Sequence, residues 1–452
     1  MYNKTLLRNE YEMFLDKYRF TDSKLGSHWL YSENFNMKCI PESGFKIHVS
    51  STVFNAIHIQ EACIPYLEQN SIQFKVVRKL NLFELQNRGV FGFSQIGKLI
   101  TIYPSDFNEF KKVINDLYLK TKLIEGVNIP SDFKYRSSKV IFYRYGAFID
   151  IKKNNKYYMK LPNGNIVEDK RDKSIPRDIN LDFSDYKIDR VLELPKRFLI
   201  LEILRKRGKG GTYKVLDLKD RKLKIMKEGT YLGELEESGI DGLDRALWEF
   251  YLLELFNELD YTPNVYEKFY VENSFFFIQE FKKGRTLEDF SLNKSISRKE
   301  AQNILSKIAH KIIELNSLYG VIIRDLSMTN ILIDENLNIS LIDFEYAHIN
   351  EQGAPPVIKI GSPGFYDEST NGVSIKDDIY SLVCIYYYLL NPSSYKKLIN
   401  SNIDLYRRSV NYTNKDLSSM NKEDINIIEK GLNYEIESVS ELLSLLNEML
   451  VK

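Results

Sequence analysis

The feature that most constrains this 452-residue chain is a pair of short segments, IIRDLSMTNILID and ISLIDFE. The first contains Asp325 and Asn330, five residues apart, and the second contains Asp343. Phosphoryl transfer needs a carboxylate that accepts the proton of a hydroxyl, and oxygen ligands that hold Mg²⁺ across the phosphates. The apolar runs ILI and ISLI predict short strands that frame such a loop. The segments therefore predict Asp325 as a catalytic base and Asn330 and Asp343 as magnesium ligands.

Segments upstream of this pair predict the remainder of a nucleotide site. ILRKRGKGGTYKV places three glycines between two strand-like runs, where the backbone can approach phosphates closely. Lys227 in KLKIMKEG stands where a lysine would pair with the α- and β-phosphates, and Glu249 in the helical segment LDRALWEFYLLELF is its natural partner. FFFIQEFKKGRTL indicates a strand leading into a hinge whose backbone would contact adenine. The predicted nucleotide-binding residues are Gly208, Gly210, Gly211, Lys227, Glu249, Glu280 and Phe281.

Two later segments complete the pattern. GSPGFYDE resembles the end of an activation segment, and DDIYSLVCIYYYLL resembles the helix whose aspartate, here Asp378, anchors the catalytic loop. The six elements, in this order over about 170 residues, resemble the protein kinase superfamily. The resemblance spans about 196–452 and implies an N-lobe at about 196–282 and a C-lobe at about 283–452. It also implies Mg²⁺ and ATP as cofactors, with GTP as the alternative nucleotide.

Four positions depart from the kinase pattern. Ile323 replaces the histidine two residues before the base, and Ser327 replaces the lysine two residues after it. Tyr213 replaces the third glycine of the phosphate loop, and Glu345 replaces the glycine after Asp343-Phe344. The loss of the lysine removes one cation near the transferred phosphoryl group. The base, both metal ligands and the ATP lysine are kept, which argues against an inactive pseudokinase.

The N-terminal part mixes strand-like and helix-like runs, which predicts an α+β domain. In the strand-like run GFKIHVSS, period-two alternation places Phe45, Ile47 and Val49 on one face. Lys46 and His48 then project together from the other face. The alternative is that this second face is simply solvated.

Further cations lie beside strand-like runs of the same region. They are Lys75, Arg88, Lys98, Arg136 and Arg144. If they converge, they form an anion site, for which the guanidinium fork is well suited. Together with the Lys-x-His strand, this pattern resembles the phosphothreonine lyases of bacterial effectors. It is still more similar to the lyase domain of class III and IV lanthipeptide synthetases, in which a lyase precedes a kinase.

The resemblance implies a role for each of these side chains. Lys75 is the candidate base that removes the Cα proton, with Lys98 as the second candidate. Protonated His48 is the candidate acid for the leaving phosphate, and Lys46 would stabilise the enolate-like oxygen. The phosphate would be bound by Arg88, Lys98, Arg136 and Arg144. This step implies no cofactor.

The combined pattern implies a bifunctional dehydratase, with a lyase domain at 1–165, a linker or closing hairpin at 166–195 and a kinase domain at 196–452. In the resembled family the substrate is a precursor peptide recognised through its leader, and a third domain usually cyclises the product. Either a separate cyclase performs that step here, or the sequence is truncated. The acidic segment GELEESGIDGLDR is the candidate for a surface near the leader-binding site.

Composition and charge limit the functional classes to which the chain can belong. With 63 basic and 62 acidic residues, charge balance gives no reason to expect a nucleic-acid or membrane partner. Three dispersed cysteines, no signal peptide and no long apolar run predict a soluble, cytoplasmic protein. The main alternative function is a signalling Ser/Thr kinase with an N-terminal module that binds phosphopeptides. A scaffold pseudokinase is the third possibility.

Overall fold

The computed structural model describes residues 4–21, 28–36, 38, 40–149, 151–154, 156–171, 173–176, 179, 194–349, 361–367, 373–400, 417 and 420–451. Its N-terminal part is built on a seven-stranded antiparallel sheet of order β1-β2-β4-β5-β3-β7-β6. The strands are β1 Phe20–Thr21, β2 Trp29–Ser32, β3 Ser43–Ser50, β4 Phe74–Val77, β5 Lys98–Ile102, β6 Phe133–Lys134 and β7 Ile141–Ala147. The helices are α1 Lys4–Leu15, α2 Ala56–Gln69, α3 Leu80–Asn87 and α4 Phe107–Lys120.

Strand β3 has the two unlike faces that its sequence predicts. Phe45, Ile47 and Val49 are buried in the core of the N-terminal domain, together with apolar side chains of α2 and α4. Lys46 and His48 project from the opposite face because successive side chains of a strand alternate. The cross-strand partner of His48 on β5 is Thr101, whose partner on β4 is Lys75. On the other side Lys46 is opposite Arg144 of β7. The central strands therefore present one apolar face and one cationic face.

A second, three-stranded sheet follows, formed by β8 Ile151–Lys153, β9 Lys156–Lys160 and β10 Ile166–Glu168. The side chains of Val167, Ile175 and Ile179 pack against the core of the first domain. Residues 166–179, predicted as linker or closing hairpin, thus pack as a continuation of that domain where they are described. The rest of the predicted linker up to residue 193 lies outside the described residues.

The C-terminal half begins with a five-stranded antiparallel sheet of order β11-β12-β13-β15-β14 and one helix, α5. These elements are β11 Phe198–Arg207, β12 Gly210–Asp217, β13 Lys222–Thr230, α5 Gly242–Leu255, β14 Val265–Val271 and β15 Ser274–Glu280. A mainly helical lobe follows. Its elements are β16 Arg285–Thr286, α6 Leu287–Asn293, α7 Arg298–Tyr319, β17 Ile331–Ile333, β18 Ile339–Leu341, α8 Ile375–Leu390, α9 Pro392–Asn400, α10 Lys422–Leu432 and α11 Val439–Val451.

Helix α7 has a defined signal at each of its ends. Ser297 and Glu300 form a capping box in which each side chain accepts a hydrogen bond from the other's backbone N–H. Gly320 ends the helix with a φ of 67°, a left-handed conformation that glycine adopts without strain. The apolar stripe between them is fully buried in the core of the helical lobe, where it consists of Ile304, Leu305, Ile308, Ile312 and Leu315.

The two halves of the chain contact each other at the turn that joins β11 to β12. A Cβ atom added at Gly208 would clash with the carbonyl oxygen of Asn87, the last residue of α3. Beside it, the Lys206 ammonium lies 4.2 Å from the centroid of the Phe93 ring. The Tyr231 hydroxyl also donates a hydrogen bond of 2.8 Å to Glu125. Within the described part of the chain, no helix is both long and apolar enough to cross a membrane.

Candidate active sites

The first candidate site lies between the two lobes of the C-terminal half and is called the interlobe site. Lys227 on β13 reaches both carboxylate oxygens of Glu249 on α5, at 2.6 and 2.8 Å, and one oxygen of Asp343, at 3.0 Å. Burial alone would lower the pKa of Lys227, but the charges of Asp343 and Glu249 raise it. Burial would likewise raise the pKa of Asp343, but Lys227, Lys209 and Arg205 lower it. Lys227 is therefore a fixed cation and Asp343 a fixed anion.

Asp325 lies in a loop of the interlobe site whose backbone is anchored by Asp378. The Asp378 carboxylate accepts backbone N–H bonds from Ile323, at 2.9 Å, and from Arg324, at 2.8 Å. Asp325 itself accepts two hydrogen bonds from Ser362, one from the N–H at 2.7 Å and one from the hydroxyl at 2.8 Å. Burial, followed by the charge of Asp343, raises the pKa of Asp325 to about 6. A carboxyl with such a pKa can act as a general base near neutral pH.

The oxygen atoms of this site suit Mg²⁺. The amide of Asn330 donates to the backbone carbonyl of Asp325 at 2.9 Å, which orients the amide. Its oxygen accepts a long bond of 3.4 Å from the Thr329 hydroxyl and has a second lone pair for a metal ligand. With the Asp343 carboxylate, this gives two hard oxygen donors, the number a magnesium ion shared with phosphates usually takes from protein. The backbone of Gly210 has a φ of 144°, and a Cβ there would clash with the Glu228 carbonyl, so this tight turn needs glycine. The residues present therefore fit a magnesium nucleotide.

Glu280 and Phe281 lie at the end of β15, between the lobes, as predicted for a hinge. The Glu280 N–H donates to the carbonyl of Asn264 at 2.8 Å. The Glu280 carboxylate pairs with Lys282 at 2.9 Å, and the Phe281 ring lies 5.0 Å from the Lys214 ammonium.

The second candidate site is the cationic face of the N-terminal sheet, formed by Lys46, His48, Lys75, Lys98 and Arg144. At its centre the Nδ1 atom of His48 hydrogen-bonds to Asp132, and Lys98 pairs with the other oxygen of Asp132 at 3.1 Å. Ser131 donates to that same oxygen at 2.7 Å. Asp132 is fully buried, and His48 and Lys98 are 3% and 4% exposed. A carboxylate so deeply buried needs its charge balanced and its oxygens hydrogen-bonded; Lys98 supplies the charge, and His48 and Ser131 supply hydrogen bonds.

Burial sets the protonation of this cluster. It lowers the pKa of His48 to about 3, with the charge of Lys98 acting in the same direction and Asp132 opposing. Burial also lowers the pKa of Lys98 to about 8, helped by Arg144 and Arg171. His48 is thus neutral in the free protein, with its Nδ1 proton donated to Asp132 and its Nε2 left as the second polar atom. The protonated His48 expected from the sequence is not the resting state.

Two further cations line the cationic face beside aromatic rings. The Lys46 ammonium lies 5.6 Å from the Tyr103 centroid and 5.7 Å from that of Phe148. The Lys75 ammonium lies 4.3 Å from the Trp29 ring and 5.9 Å from Tyr103. Because both approach Tyr103, the two lysines belong to one cluster.

Comparisons with known proteins agree with this two-part geometry. Residues 201–452 match the model of the protein kinase domain, which is more than half of the chain. This chain belongs to the protein kinase family. Residues 16–180 match the model described as the RamC N-terminal domain. The two matches, in this order, confirm the resemblance to class III and IV lanthipeptide synthetases and the two-part α+β fold.

Individual relatives cover different parts of this kinase-family chain. It is 24% identical over 380 residues to a probable SapB synthase of Streptomyces coelicolor, which covers 78% of the chain and 40% of that protein. It is 25% identical over 203 residues to the serine/threonine-protein kinase SIK2 of Gallus gallus, which covers 43% of the chain and 25% of that kinase. The chain therefore spans well under half the length of these relatives.

The kinase pattern is altered at Glu345, the residue that replaces a glycine. Glu345 forms an ion pair with Lys209 of the glycine-rich turn. Burial would lower the pKa of Lys209, but Glu345 raises it, so the pair stays charged. A side-chain ion pair therefore links the glycine-rich turn to the segment that contains Asp343. The sequence revealed the substitution but not the partner.

Two of the cations predicted to bind phosphate are not part of the cationic face. Arg88 pairs with Glu84 at 2.7 Å, within one turn of α3, and faces the second half of the chain. Arg136 is exposed, donates to Asn115 at 3.2 Å and lies 5.1 Å from the Tyr135 centroid. Both are corrections to the sequence prediction. Arg88 caps the C-terminal end of α3 and Arg136 lies in the turn after β6, so neither belongs to the strand face, which spacing alone does not reveal.

Asp132 and Arg171 are members of the cluster that sequence reasoning missed. Arg144 pairs with Asp169 at 2.7 Å, and the Asp169 side chain also accepts the Arg171 N–H at 3.1 Å. Arg171 stacks 3.5 Å from the Tyr157 centroid, close enough to Lys98 to lower its pKa. The contact between His48 and Asp132 joins positions 84 residues apart. The motif SDF around Asp132 has no distinctive spacing that could have indicated it.

Proposed function

We propose that this chain dehydrates serine and threonine residues of a precursor peptide in two steps. The interlobe site first phosphorylates the hydroxyl, using ATP and Mg²⁺, with GTP as an alternative donor to be tested. The cationic face then eliminates the phosphate, which leaves dehydroalanine or dehydrobutyrine. The observation that carries the proposal is the buried set His48–Asp132–Lys98. A surface that only bound phosphopeptides would not need a histidine oriented by a carboxylate beside a lysine of lowered pKa.

In the first step Asp325 orients the substrate hydroxyl and accepts its proton. Lys227, held by Glu249, would bind the α- and β-phosphates, and Asn330 and Asp343 would hold Mg²⁺, which neutralises charge on the phosphates. Gly208, Gly210 and Gly211 let the backbone approach the nucleotide closely. Glu280 and Phe281 would supply backbone contacts to the base.

In the second step a lysine removes the Cα proton, the Cα–Cβ double bond forms, and the Cβ–oxygen bond breaks. Lys75 is the proposed base, and Lys98 is the second candidate because its pKa is about 8. Phosphate that arrives as a dianion raises the pKa of His48, because a nearby negative charge stabilises imidazolium. His48 can then give a proton to the departing phosphate oxygen. Lys46 would stabilise the enolate-like oxygen, and Arg144 with Lys98 would hold the phosphate.

One mass-spectrometric experiment tests the two-step scheme. The chain is incubated with ATP, Mg²⁺ and a precursor peptide, with wild type compared with His48→Ala, Lys75→Ala and Lys98→Met. We expect loss of water with wild type and accumulated phosphopeptide with the three variants. Phosphopeptide as the sole wild-type product would favour the rival reading, a signalling kinase with a phosphopeptide-binding domain. The absence of any ATP turnover would favour a scaffold.

The precursor peptide is proposed to contact a cavity between the two halves. This cavity has a volume of about 430 Å³ and is lined on the kinase side by most of residues 233–245, the acidic segment identified from sequence. Within the described residues, the Nδ2 of Asn87 and the Nε of Arg245 are buried there without a hydrogen-bond partner. Both are donors, and the carbonyls of an extended peptide would satisfy them.

The precursor contact has its own test. Asn87→Leu keeps the side-chain volume and removes the Nδ2 donor, together with the Oδ1 that accepts the Gly97 N–H at 3.0 Å, so its melting temperature is measured alongside. Leu123→Ala, at an exposed site on the first domain, is the control. We expect Asn87→Leu to raise the KM for the precursor and to leave unchanged the elimination rate of a short synthetic phosphoserine peptide. An unchanged KM for the precursor would contradict the assignment.

A further inference from the structure

The kinase site lacks a cation where its chemistry needs one. Between Asp325 and Asn330 the chain reads Leu-Ser-Met-Thr, so this loop carries no positive charge. Ser327 is buried, and its hydroxyl lies 2.9 Å from that of Thr329. The phosphoryl group in transfer has its charge spread over three oxygens, and fixed cations that face these oxygens lower the barrier. A chain that transfers phosphate efficiently must supply this charge from another element.

Strand β11 brings such charge from the opposite lobe. It ends in the sequence RKR, and Arg205 and Arg207 line the same interlobe cavity as Lys227 and Asp343. The Nη1 atom of Arg205 lies 3.8 Å from a carboxylate oxygen of Asp343. The guanidinium is thus close to the proposed metal ligand and lines the cavity that also contains Lys227.

Two other cations of this cavity, Lys227 and Lys209, already have close partners. Lys227 is bonded to Glu249 and Asp343, and Lys209 is paired directly with Glu345. The Arg205–Asp343 separation is longer than a hydrogen bond. Their ion pair therefore leaves the five N–H donors of the guanidinium able to bind an anion. Arginine also binds phosphate oxygens in a bidentate manner, which lysine cannot do.

We propose that Arg205 binds the γ-phosphate of the nucleotide and replaces the catalytic-loop lysine that Ser327 has displaced. The inference rests on the kinase half of the proposed function and is independent of the elimination step. Arg205 donates hydrogen bonds and transfers no proton. Its position on β11 means that the charge is delivered by the lobe that closes over the nucleotide, whereas the lost lysine would have delivered it from the lobe below.

Equilibrium binding tests the proposal without any turnover. Dissociation constants for Mg²⁺–ATP and Mg²⁺–ADP are measured by calorimetry for wild type and Arg205→Met. Lys206→Met is the matched control, because it removes the same charge one residue later, on the side of β11 that faces Phe93. We expect Arg205→Met to weaken ATP binding about tenfold and ADP binding less than twofold, since only ATP carries the third phosphate. An equal loss for both nucleotides, or no loss, would overturn the proposal.

A rescue variant separates a role at the phosphate from a structural role. Adding Ser327→Lys to Arg205→Met returns a cation to the same phosphate from the other lobe. We expect the double variant to recover ATP binding and kcat for phosphopeptide formation, at least tenfold above Arg205→Met. Failure of this rescue in a variant that melts like wild type would argue against the assignment. A higher kcat for Arg205→Met would overturn it by showing that the contact with Asp343 is inhibitory. Loss of elimination with phosphorylation intact would instead bear on the proposed second step.

Discussion

The two candidate sites of this chain treat the same phosphate group with opposite balances of charge. In the interlobe site carboxylates are prominent, with Asp343, Glu249 and Glu345 close to Lys227, and Asp325 close to Asp343. Such a site suits a nucleotide that arrives with its own metal cation. On the cationic face basic side chains predominate, and the buried carboxylate of Asp132 contacts two of them, His48 and Lys98. That face suits a phosphate that arrives without a metal and must be expelled.

Burial shifts the pKa values of the titrating groups in opposite directions in the two sites. Burial raises the pKa of Asp325 to about 6, which makes a carboxylate more basic. Burial lowers the pKa of Lys98 to about 8, which makes an ammonium more acidic. Both shifts move a group toward neutral pH, where proton transfer is most effective. The same physical cause therefore prepares a carboxylate in one site and an amine in the other.

The largest expected effect separates the two sites completely. Asp325→Asn should reduce phosphopeptide formation by about 10²–10⁴-fold, the usual contribution of a general base. It should leave the elimination of a synthetic phosphoserine peptide unchanged. His48→Ala should give the reverse pattern, with phosphopeptide formed at the wild-type rate and persisting. Mass spectrometry of both reactions for both variants checks the crossover, and impairment of both steps in either variant would contradict two independent sites.

A second prediction concerns the carboxylate that orients the cationic face. Asp132→Asn keeps the shape of the side chain but leaves Lys98 without its anion and frees the tautomer of His48. We expect elimination to fall about 10²-fold and the free energy of unfolding to fall by about 3 kcal/mol. Elimination assays measure the loss of rate, and denaturant titration measures the loss of unfolding free energy. Ser131→Ala, which removes only one hydrogen bond to the same oxygen, is the control and should cost about 1 kcal/mol.

The pH dependence of kcat/KM sharpens the contrast, because this parameter reports the pKa values of the free enzyme. Phosphorylation should decline as pH falls through about 6, where Asp325 gains a proton. Elimination should decline as pH rises through about 8, where Lys98 loses the charge that holds phosphate. In Lys98→Arg the alkaline decline should disappear. An elimination rate that instead rises with pH up to about 8 would identify Lys98 as the base in place of Lys75.

The sequence predicted the kinase half more completely than the N-terminal half, and the reason is physical. Lys227, Asp325, Asn330 and Asp343 lie in short motifs whose local strands and turns fix the direction of each side chain. Lys46 and His48 were placed correctly because strand alternation is equally local. Membership of the cationic face otherwise depends on long-range packing, as for Asp132. Arg88 has a suitable charge and spacing, yet its loop faces the kinase domain, which no local pattern indicates.

The smallest expected effect probes the contact between the two halves at Gly208. A methyl group there would clash with the Asn87 carbonyl, so Gly208→Ala must shift either the first domain or the glycine-rich turn. Because this turn lies beside the nucleotide cavity, we expect the dissociation constant for Mg²⁺–ATP to rise about two- to fivefold. This corresponds to a loss of less than about 1 kcal/mol of binding free energy. Lys222→Ala, at an exposed site on the same sheet, is the control. Elimination should be unaffected, because the cationic face is on a separate sheet. A change in elimination with unchanged nucleotide binding would contradict this expectation. It would show that the clash displaces the first domain and not the glycine-rich turn.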